Sequence, residues 1–579
     1  MSNNLQSPDV QIQFNVRVPM RDGVTLSADL YLPKTEAHHS AQPDQGQSPV
    51  SGAPISNPQS PTLLLRTPYI KASPKNVELA NYFAGRGYAV VFMDVRGRGD
   101  SDGEFVPYQN EGRDGYDAVE WCAAQPWCNG KVATMGSSYL GAIQWLTALQ
   151  HPPHLVTMIV RVTPSDPFVE WPTGSQCPMH LCWLHHTSGR MNQLMDAVDW
   201  ERVYEHLPLL TMDEAAGRCN ETWRTQLRHT KLDDYWEPQR YQNKFDQLDL
   251  PVMHISGWYD DEQIGTPLNF MGMTNHAAGE LGRNNQKLIM GPWGHGVNST
   301  TKLGEVDFGP QALIDLRGAE LSWLDRWMKG GQREQEPEEE GEAPVRIFVM
   351  GENVWREEQE WPLARTQWTR FYLHSGGAAN SRFGDGALST EAPGEERPDH
   401  YRYDPARPVP FITDATSSQI GGPDDYAAVE RRDDVLVYVT PRLEEAVEIT
   451  GPIRLQLFAA TSAVDTDFTA KLVDVHPSGF LQRLCDGMVR ARFRAGMHKP
   501  QLVEPGQVYE YSIDLWNTSQ VFAKGHRIGL EISSSAFPKY DRNLNNGEDL
   551  ATSTRMVVAE QTVYHDATRP SALVLPVVP

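Results

Sequence analysis

The chain has 579 residues, of which 40% are hydrophobic and 22% charged, and this composition excludes a fibrous or wholly disordered protein. Its 51 basic and 75 acidic residues leave a formal charge of −24, which argues against nucleic acid or an anionic membrane surface as a partner. Six cysteines are too few for a disulfide scaffold, no apolar run is long enough to span a membrane, and the polar N-terminus does not resemble a secretory signal. We therefore expect a cytoplasmic protein.

The first 61 residues contain two different patterns. Residues 11–33 alternate polar and apolar side chains around the turn Arg21-Asp22-Gly23, which predicts two paired strands. Residues 34–61 are rich in Ser, Pro, Gln and Gly, which predicts a long surface loop whose role the sequence does not indicate.

An alternation of strands and helices follows. Near-continuous apolar runs are separated by segments with helical spacing, which predicts a parallel sheet covered by helices on both faces. The predicted strands are residues 62–66, 88–94, 131–135, 155–162, 251–256 and 287–290, and the predicted helices are residues 76–85, 112–124, 141–150, 265–273 and 310–328. Residues 163–249 interrupt the alternation with a helical composition rich in Trp and His. We therefore predict one α/β core formed by residues 1–162 and 250–330, with residues 163–249 inserted as a helical cap.

The last part of the chain has a different character. Residues 331–344 form a charged segment flanked by glycine, which predicts a linker. Residues 345–579 consist of short alternating segments separated by turn residues, which predicts an all-β sandwich of the jelly-roll type.

The turn that follows the strand at residues 131–135 contains a candidate nucleophile. Residues 136–141 read GSSYLG, and a serine in a tight turn between a strand and a helix presents its hydroxyl beside the helix N-terminus. Ser138 occupies the central position of this turn, so Ser137 is the weaker candidate. Because Leu140 stands at the last glycine position of the G-x-S-x-G pattern, an ordinary Gly/Ser turn is the alternative.

An acid and a base follow at suitable places. In α/β hydrolases the catalytic serine, acid and histidine come in this order, each after the end of a core strand. Asp260 follows the strand at residues 251–256, and His295 follows the strand at residues 287–290. Asp261 and Glu262 are close enough to Asp260 that spacing alone does not separate them.

Several motifs together resemble a known family. GSSYLG, GWYD and GPWGH, with PMRDGVTLSADLYLP, RTPYIK and DVRGRGDSDGEF near the start, are similar to cocaine esterase and the X-prolyl dipeptidyl aminopeptidase-like serine hydrolases of the CocE/NonD type. That group includes α-amino-acid ester hydrolases and glutaryl acylases. The C-terminal motifs DTDFTAKLVDVHPSG and FAKGHRIGLEISSS resemble the family's jelly-roll domain, and the family's elbow pattern G-x-S-Y-x-G matches residues 136–141.

The resemblance implies a fold and a set of catalytic roles. The fold is an α/β hydrolase domain with an inserted helical cap, followed by a jelly-roll domain. The implied triad is Ser138 as nucleophile, Asp260 as the acid that orients the base, and His295 as the base. The implied oxyanion hole consists of the backbone N–H of Tyr139 and the phenol of Tyr69, because a neutral phenol donates a strong hydrogen bond.

The expected reaction is transfer of an acyl group from a small ester or amide to water, which requires neither a metal nor a cofactor. Glu262 is expected near the acyl pocket, where the amino-acid ester hydrolases use carboxylates to bind an ammonium group, although Gln263 replaces an expected Asp. Trp183, with Trp171 and Trp236, either lines this pocket or forms the core of the insertion, and we expect core for most of them.

Other functions stay open at this stage. The enzyme alternatives are an X-Pro dipeptidyl-peptidase and an α-amino-acid ester hydrolase or β-lactam acylase. The alternative outside catalysis is a carbohydrate-binding protein with an inactive hydrolase domain. The sequence does not determine the physiological substrate or whether the chain forms a homo-oligomer.

Overall fold

The computed structural model describes residues 9–34, 59–330, 343–413 and 421–579, so most of the predicted loop at 34–61 and of the predicted linker at 331–344 lie outside it. Within these ranges, none of the helices has both the length and the apolar character needed to cross a membrane. The strands of the first half are β1 (Val10–Pro19), β2 (Thr25–Pro33), β3 (Ser60–Thr67), β4 (Ala89–Asp94), β5 (Cys128–Ser137), β6 (Leu155–Arg161), β7 (Val252–Gly257), β8 (Gln286–Gly291), β9 (Lys302–Leu303), β10 (Val306–Asp307), β11 (Val345–Val349) and β12 (Val354–Glu358).

Ten of these strands form one sheet in the order β1-β2-β4-β3-β5-β6-β7-β8-β11-β12, and β9 pairs only with β10. All neighbours from β4 through β11 run parallel, whereas β1, β2 and β12 pair antiparallel at the two edges. β3, β4, β7 and β8 are buried along their whole length, as predicted for a sheet covered on both faces, and β5 and β6 are partly exposed near their ends. Because parallel strands end at the same edge, the segments after β5, β7 and β8 meet there.

Helices cover both faces of this sheet. The helices are α1 (Pro74–Ala84), α2 (Glu111–Ala123), α3 (Tyr139–Ala148), α4 (His180–His186), α5 (Trp200–Tyr204), α6 (Met212–Ala215), α7 (Glu221–Arg228), α8 (Gly265–His276), α9 (Glu280–Asn284) and α10 (Leu316–Met328). Apolar residues of α1 and α10 pack together on one face, and those of α2, α3 and α8 pack on the other. The predicted alternation of strands and helices is therefore confirmed.

The predicted domain boundary at residue 345 was wrong for the first two strands after the linker. β11 pairs parallel with β8, and β12 pairs antiparallel with β11, so both extend the first sheet rather than open the C-terminal one. The chain passes from β8 through α10 to β11, which is a further strand–helix–strand unit. A short alternating strand has the same pattern in either setting, so the sequence did not distinguish them.

Residues 163–249 contain α4 to α7 and no strand, as predicted for the insertion. Their apolar side chains form a separate core that includes Trp200 and Trp223. The insertion also contacts the C-terminal half, because Arg490 donates to the carbonyl of Thr173 at 2.8 Å. It is therefore packed between the first sheet and the C-terminal region.

The C-terminal region is rich in β-structure. Its strands are β13 (Gln367–His374), β14 (Ala387–Ser389), β15 (Asp399–Tyr403), β16 (Leu436–Val439), β17 (Val447–Thr461), β18 (Asp467–Val475), β19 (Leu481–Arg490), β20 (Tyr509–Phe522), β21 (Arg527–Ser533), β22 (Ala559–Asp566), β23 (Arg569–Pro570) and β24 (Ala572–Val578). They form one sheet with the path β15-β22-β17-β24-β13-β14-β16-β21-β18-β19, in which β20 also pairs with β17. Buried residues from β13 to β24 share a single core, so the sheet curls over on itself.

Candidate active site

Ser138 lies at the sharp turn between β5 and α3. Its backbone has φ 59° and ψ −129°, a conformation that a residue with a side chain adopts only under constraint. The constraint comes from the neighbouring strand, because the Ser138 N–H donates to the carbonyls of Arg161 and Val162 at 2.9 Å each. The turn leaves Ser138 half-buried at the edge of a cavity.

The two glycines of this turn are required by close packing. A Cβ atom on Gly136 would lie 2.3 Å from the Cβ of Leu140, and one on Gly141 would lie 2.4 Å from the hydroxyl of Thr163. Position 136 therefore lies directly against α3, and position 141 lies directly against the end of β6 and the residues after it. This explains why Leu140 is compatible with the turn although it occupies the last glycine position of the shorter pattern.

Asp260 and His295 meet at the carboxyl ends of β7 and β8. The Nδ1 atom of His295 lies 2.8 Å from Oδ1 of Asp260 in a hydrogen bond, and the Ser256 hydroxyl donates to Oδ2 of Asp260 at 2.7 Å. Oδ1 of Asp261 is 3.1 Å from the same nitrogen, but it has no hydrogen-bond partner in the described part of the chain. Of the two aspartates that the sequence did not separate, Asp260 is thus the one aligned with the imidazole.

The two aspartates also determine the charge of the imidazole. Burial would lower the pKa of His295, but the negative charge of Asp261 and the hydrogen bond that His295 donates to Asp260 outweigh it and hold this pKa well above its usual value. Burial likewise opposes ionisation of Asp261, yet His295 holds the pKa of that carboxyl below its ordinary range. The imidazole therefore keeps its proton to a higher pH than an ordinary histidine.

Tyr69 faces this site from the loop after β3. Its hydroxyl accepts a hydrogen bond of 2.9 Å from the indole N–H of Trp183, so its own proton is available to a third group. Burial raises the pKa of the Tyr69 phenol, although hydrogen bonds with Trp183 and Ser138 partly offset this. The phenol thus stays protonated at neutral pH. Tyr139 is the first residue of α3, and a backbone N–H at this position has no acceptor within the helix.

A buried arginine that the sequence analysis did not single out holds the Tyr69 loop in place. Arg98 is fully buried, and its guanidinium donates to the carbonyls of Pro68 at 2.7 Å and Thr187 at 2.6 Å. It also donates to Asn192, whose amide donates to the Tyr69 carbonyl at 3.1 Å. Arginine is rarely fully buried, so its residue type did not indicate this role. The glycines on either side of it, within the motif DVRGRGDSDGEF, were the signal in the sequence.

Ser138, His295 and Glu262 line one cavity of about 100 Å³ at the edge of the first sheet. Most of its remaining wall comes from the insertion, including Glu170, Trp171, Gln176, His180, Trp183 and Gln226. Trp183 stacks on Tyr139 with ring centroids 5.8 Å apart. Trp236 is buried against Phe168 instead. Trp171 and Trp183 line the cavity and also pack against the core of the insertion, so each combines the two roles that the sequence left open.

Two neighbouring residues after Asp260 differ in their surroundings. Glu262 faces the cavity, and its Oε2 has no hydrogen-bond partner in the described residues. Burial, with the charges of Asp261, Asp260 and Glu170, raises the pKa of Glu262 well above its usual value, although His295 acts in the opposite direction. Gln263 is fully buried and contacts Asn517 of the C-terminal region, with which its amide forms hydrogen bonds.

Two groups of His and acidic side chains in the described residues are close enough to hold a metal ion. One is Asp260, Asp261 and His295, and a metal bound there would occupy the imidazole lone pair that a general base requires. The other, Asp474, His476 and His526, lies in the C-terminal region. The chemistry available in the cavity itself is that of a hydroxyl, an imidazole and hydrogen-bond donors.

The chain is similar to known hydrolases along its whole length. Residues 22–297 match the family described as X-Pro dipeptidyl-peptidase (S15 family), and residues 338–574 match the X-Pro dipeptidyl-peptidase C-terminal non-catalytic domain. The chain is 35% identical to cocaine esterase of Rhodococcus sp. (strain MB1 Bresler) over 600 residues, which cover 97% of this chain and 98% of that protein.

Solved structures show the same similarity. An α-amino acid ester hydrolase matches with a TM-score of 0.80 and 25% identity, covering 98% of this chain and 97% of that one. An aminopeptidase from a marine sediment archaeon, Thaumarchaeota archaeon, matches with a TM-score of 0.81 and 24% identity, covering 100% of this chain and 97% of that one. The chain therefore has an α/β hydrolase domain and a C-terminal β-rich domain.

Proposed function

Because this chain belongs to the family of serine hydrolases that contains cocaine esterase and the X-Pro dipeptidyl-peptidases, we propose that it cleaves small carboxylic esters through an acyl-enzyme on Ser138. The chain is a serine hydrolase that acts on ester bonds. The proposal adds the roles of its groups: Ser138 is the nucleophile, His295 the general base, and Asp260 the carboxylate that orients the imidazole.

The proposed reaction has two halves. His295 Nε2 takes the Ser138 proton while Oγ attacks the substrate carbonyl carbon, and the oxyanion is bound by the Tyr69 phenol and the Tyr139 N–H. The tetrahedral intermediate collapses when the C–O bond to the leaving alkoxide breaks, and His295 donates its proton to that alkoxide. Water, deprotonated by His295, then attacks the acyl carbon, and the bond to Ser138 Oγ breaks as His295 returns the proton to that oxygen and the acid is released.

The observation that carries the proposal is the constrained backbone of Ser138 at the edge of a cavity that it shares with His295. The hydrogen bond between His295 and Asp260 supports the role of the imidazole. The Tyr69 hydroxyl accepts from Trp183 and has its own hydrogen bond with Ser138, which supports its role as an oxyanion donor beside the nucleophile.

We extend the proposal to the architecture around the cavity. Residues 163–249 act as the cap, which is supported by the wall that Trp171 and Trp183 contribute. The C-terminal region is a jelly-roll sandwich that supports the segment after β7, consistent with its curled sheet and with the contact of Gln263 to Asn517.

A comparison of two substrates tests the proposed reaction class. We expect a p-nitrophenyl ester of a small acid to be hydrolysed much faster than an X-Pro p-nitroanilide, because Gln263 is bonded to Asn517 and adds no carboxylate to the cavity that could hold a free amino terminus. Faster cleavage of the X-Pro anilide would favour the dipeptidyl-peptidase. A folded protein that hydrolyses neither substrate and does not react with a fluorophosphonate would favour the carbohydrate-binding alternative.

Tyr69→Phe is expected to lower kcat by about 10²–10³-fold on a p-nitrophenyl ester, with a small change in KM. The variant removes one hydroxyl that binds the oxyanion but not the ground-state substrate. Steady-state kinetics measure this split. Tyr108→Phe is the matched control, because Tyr108 lines the same cavity but has no proposed role in catalysis. An unchanged kcat in Tyr69→Phe would rule out the phenol as an oxyanion donor.

Asp261→Asn is expected to shift the acid limb of the pH profile of kcat/KM downward by about one pH unit. The proposed base must be neutral, and its raised pKa places the rise in activity at higher pH than for an ordinary histidine. Removing the negative charge of Asp261 destabilises the imidazolium, so its pKa falls and activity appears at lower pH. The exposed Asp307→Asn variant is the control, and an upward shift in Asp261→Asn would contradict this assignment.

We expect Glu262→Ala to reduce the preference for an α-amino ester by about tenfold. This preference is kcat/KM for the α-amino ester divided by kcat/KM for the same ester without the amino group. An ammonium group in the acyl part would favour the ionised carboxylate of Glu262. Because the pKa of Glu262 is raised, the wild-type preference should grow as the pH increases. Glu262→Gln keeps the shape without the charge and should behave like Glu262→Ala. Equal ratios in the wild type and both variants would remove this role.

A further inference from the structure

A second cluster of imidazole and carboxylate groups lies in the C-terminal region. Asp474 is near the end of β18, His476 follows that strand, and His526 immediately precedes β21, which pairs with β18. Each side chain offers one ligand atom, and these atoms lie within 4.8 Å of one another. The three residues are outside the proposed catalytic machinery.

The spacing of these atoms suits a small tetrahedral ion. Metal–ligand bonds of about 2.1 Å place neighbouring ligand atoms of a tetrahedron about 3.4 Å apart. Nδ1 of His526 is 2.8 Å from one oxygen of Asp474, and Nε2 of His476 is 3.7 Å from the other. Nε2 of His476 is also 3.3 Å from Oε1 of Gln482. The three ligand atoms of Asp474, His476 and His526 thus lie within 4.8 Å of one another, and a bound ion would replace the 2.8 Å hydrogen bond between His526 and Asp474.

A further amide group lies against the same carboxylate. Gln520 is buried and donates its Nε2 to Oδ2 of Asp474 at 3.1 Å, whereas its Oε1 has no partner among the described residues. The same Nε2 donates to the Val521 carbonyl at 3.1 Å, so this amide fixes Asp474 from within the sheet.

The cluster is partly open to solvent. Asp474 is fully buried, while the side chains of His476 and His526 are 27% and 17% exposed. A cation therefore has access from solvent and would offset the buried negative charge.

We propose that Asp474, His476 and His526 bind a divalent transition-metal ion of the Zn²⁺ class, with Oε1 of Gln482 as the fourth ligand. Two imidazole ligands favour Zn²⁺ and similar ions over the oxygen-seeking Ca²⁺ and Mg²⁺. Gln482 donates its Nε2 to the Tyr259 hydroxyl at 3.2 Å, and Tyr259 directly precedes Asp260. The ion would thus stabilise the contact between the C-terminal region and the segment that carries the proposed catalytic acid.

Metal titration of the purified full chain, after treatment with a chelator, tests the proposal. We expect wild-type protein to bind about one equivalent of Zn²⁺ at micromolar concentration and to unfold at a higher temperature when the ion is present. Co²⁺ should give the visible absorption of a tetrahedral site. His476→Ala and His526→Ala should each weaken binding by about 100-fold or more and abolish the thermal shift.

Two controls separate this site from other histidines. His295→Ala should bind Zn²⁺ as the wild type does, because the candidate catalytic cluster is a different one. His400→Ala should also bind normally, because His400 is exposed on β15. Absence of binding by the wild type, or equal binding by the wild type and the His476 and His526 variants, would overturn the proposal and leave the cluster as a hydrogen-bonded ion pair. Anomalous diffraction at the zinc edge locates the ion in the wild type if a variant fails to fold.

Discussion

Ser138→Ala is expected to lower kcat for a p-nitrophenyl ester by about 10⁵–10⁶-fold and to abolish covalent labelling by a fluorophosphonate. The alanine has no atom that can attack the carbonyl carbon, so neither the acyl-enzyme nor the phosphonyl adduct forms. The fold should persist, because Ser138 contributes its N–H rather than its hydroxyl to the bonds with Arg161 and Val162. Steady-state kinetics and mass spectrometry of the labelled protein measure both effects.

The matched control is the adjacent serine. Ser137 is the last residue of β5 and pairs with Arg161 of β6, so its side chain belongs to the strand rather than to the turn. Ser137→Ala should retain activity within a fewfold of the wild type and should be labelled normally. Labelling of Ser138→Ala with retained hydrolysis would show that another residue is the nucleophile.

Asp260→Asn is expected to lower kcat by about 10⁴-fold, while substrate binding changes little. An amide at this position would present either an N–H to the imidazole or a weaker acceptor, so His295 would no longer be held in the tautomer that leaves Nε2 free. The wild-type carboxylate is fixed by Ser256, which donates to the oxygen that does not face His295. Kinetics measured at the pH optimum of the wild type and of the variant separate this loss of kcat from a shift in the pKa of His295.

Asp261→Asn serves as the comparison for Asp260→Asn. Both aspartates lie within 3.1 Å of the His295 ring nitrogen, but only Asp260 forms a hydrogen bond with it. At its own pH optimum Asp261→Asn should keep most of the wild-type kcat, because it alters the charge around the imidazole and not its orientation. A greater loss in Asp261→Asn than in Asp260→Asn would exchange the two assignments.

Hydrogen bonds from the segment that carries Asp260 connect the candidate active site to the C-terminal region. The segment after β7 carries Asp260, and three of its side chains contact β11 or the C-terminal region. Trp258 donates to the Phe348 carbonyl at 2.8 Å, Tyr259 bonds with Gln482, and Gln263 bonds with Asn517. The position of the proposed acid therefore depends on packing from β11 and the C-terminal strands, and changes at that contact should affect kcat without touching the cavity.

The parallel sheet and the strand ends that carry the candidate triad could be inferred from the sequence because both depend on local patterns. Buried parallel strands consist of apolar runs, and their carboxyl ends gather at one edge. Residues that follow β5, β7 and β8 were therefore expected to be close together, and Gly136 and Gly141 indicated the tight turn. The order of the strands in the sheet has no such local signal.

Other features depended on contacts between distant segments. The choice between Asp260 and Asp261 was decided by the direction of each carboxylate relative to His295, and the position of Trp183 by its hydrogen bond to Tyr69 across the cap. The assignment of β11 to the first sheet rested on pairing with β8, for which a short alternating segment carries no signal.

The amino-acid sequence by itself determined which residues form strands, helices and the strained turn, since those properties come from side-chain periodicity and glycine spacing over a few positions. Tertiary structure alone decided which polar atoms meet. Hydrogen bonds and ion pairs, such as those around Asp260, Arg98 and Asp474, form only when the distance between the two atoms is correct to a few tenths of an ångström. No local sequence pattern encodes such a distance between residues that are far apart in the chain.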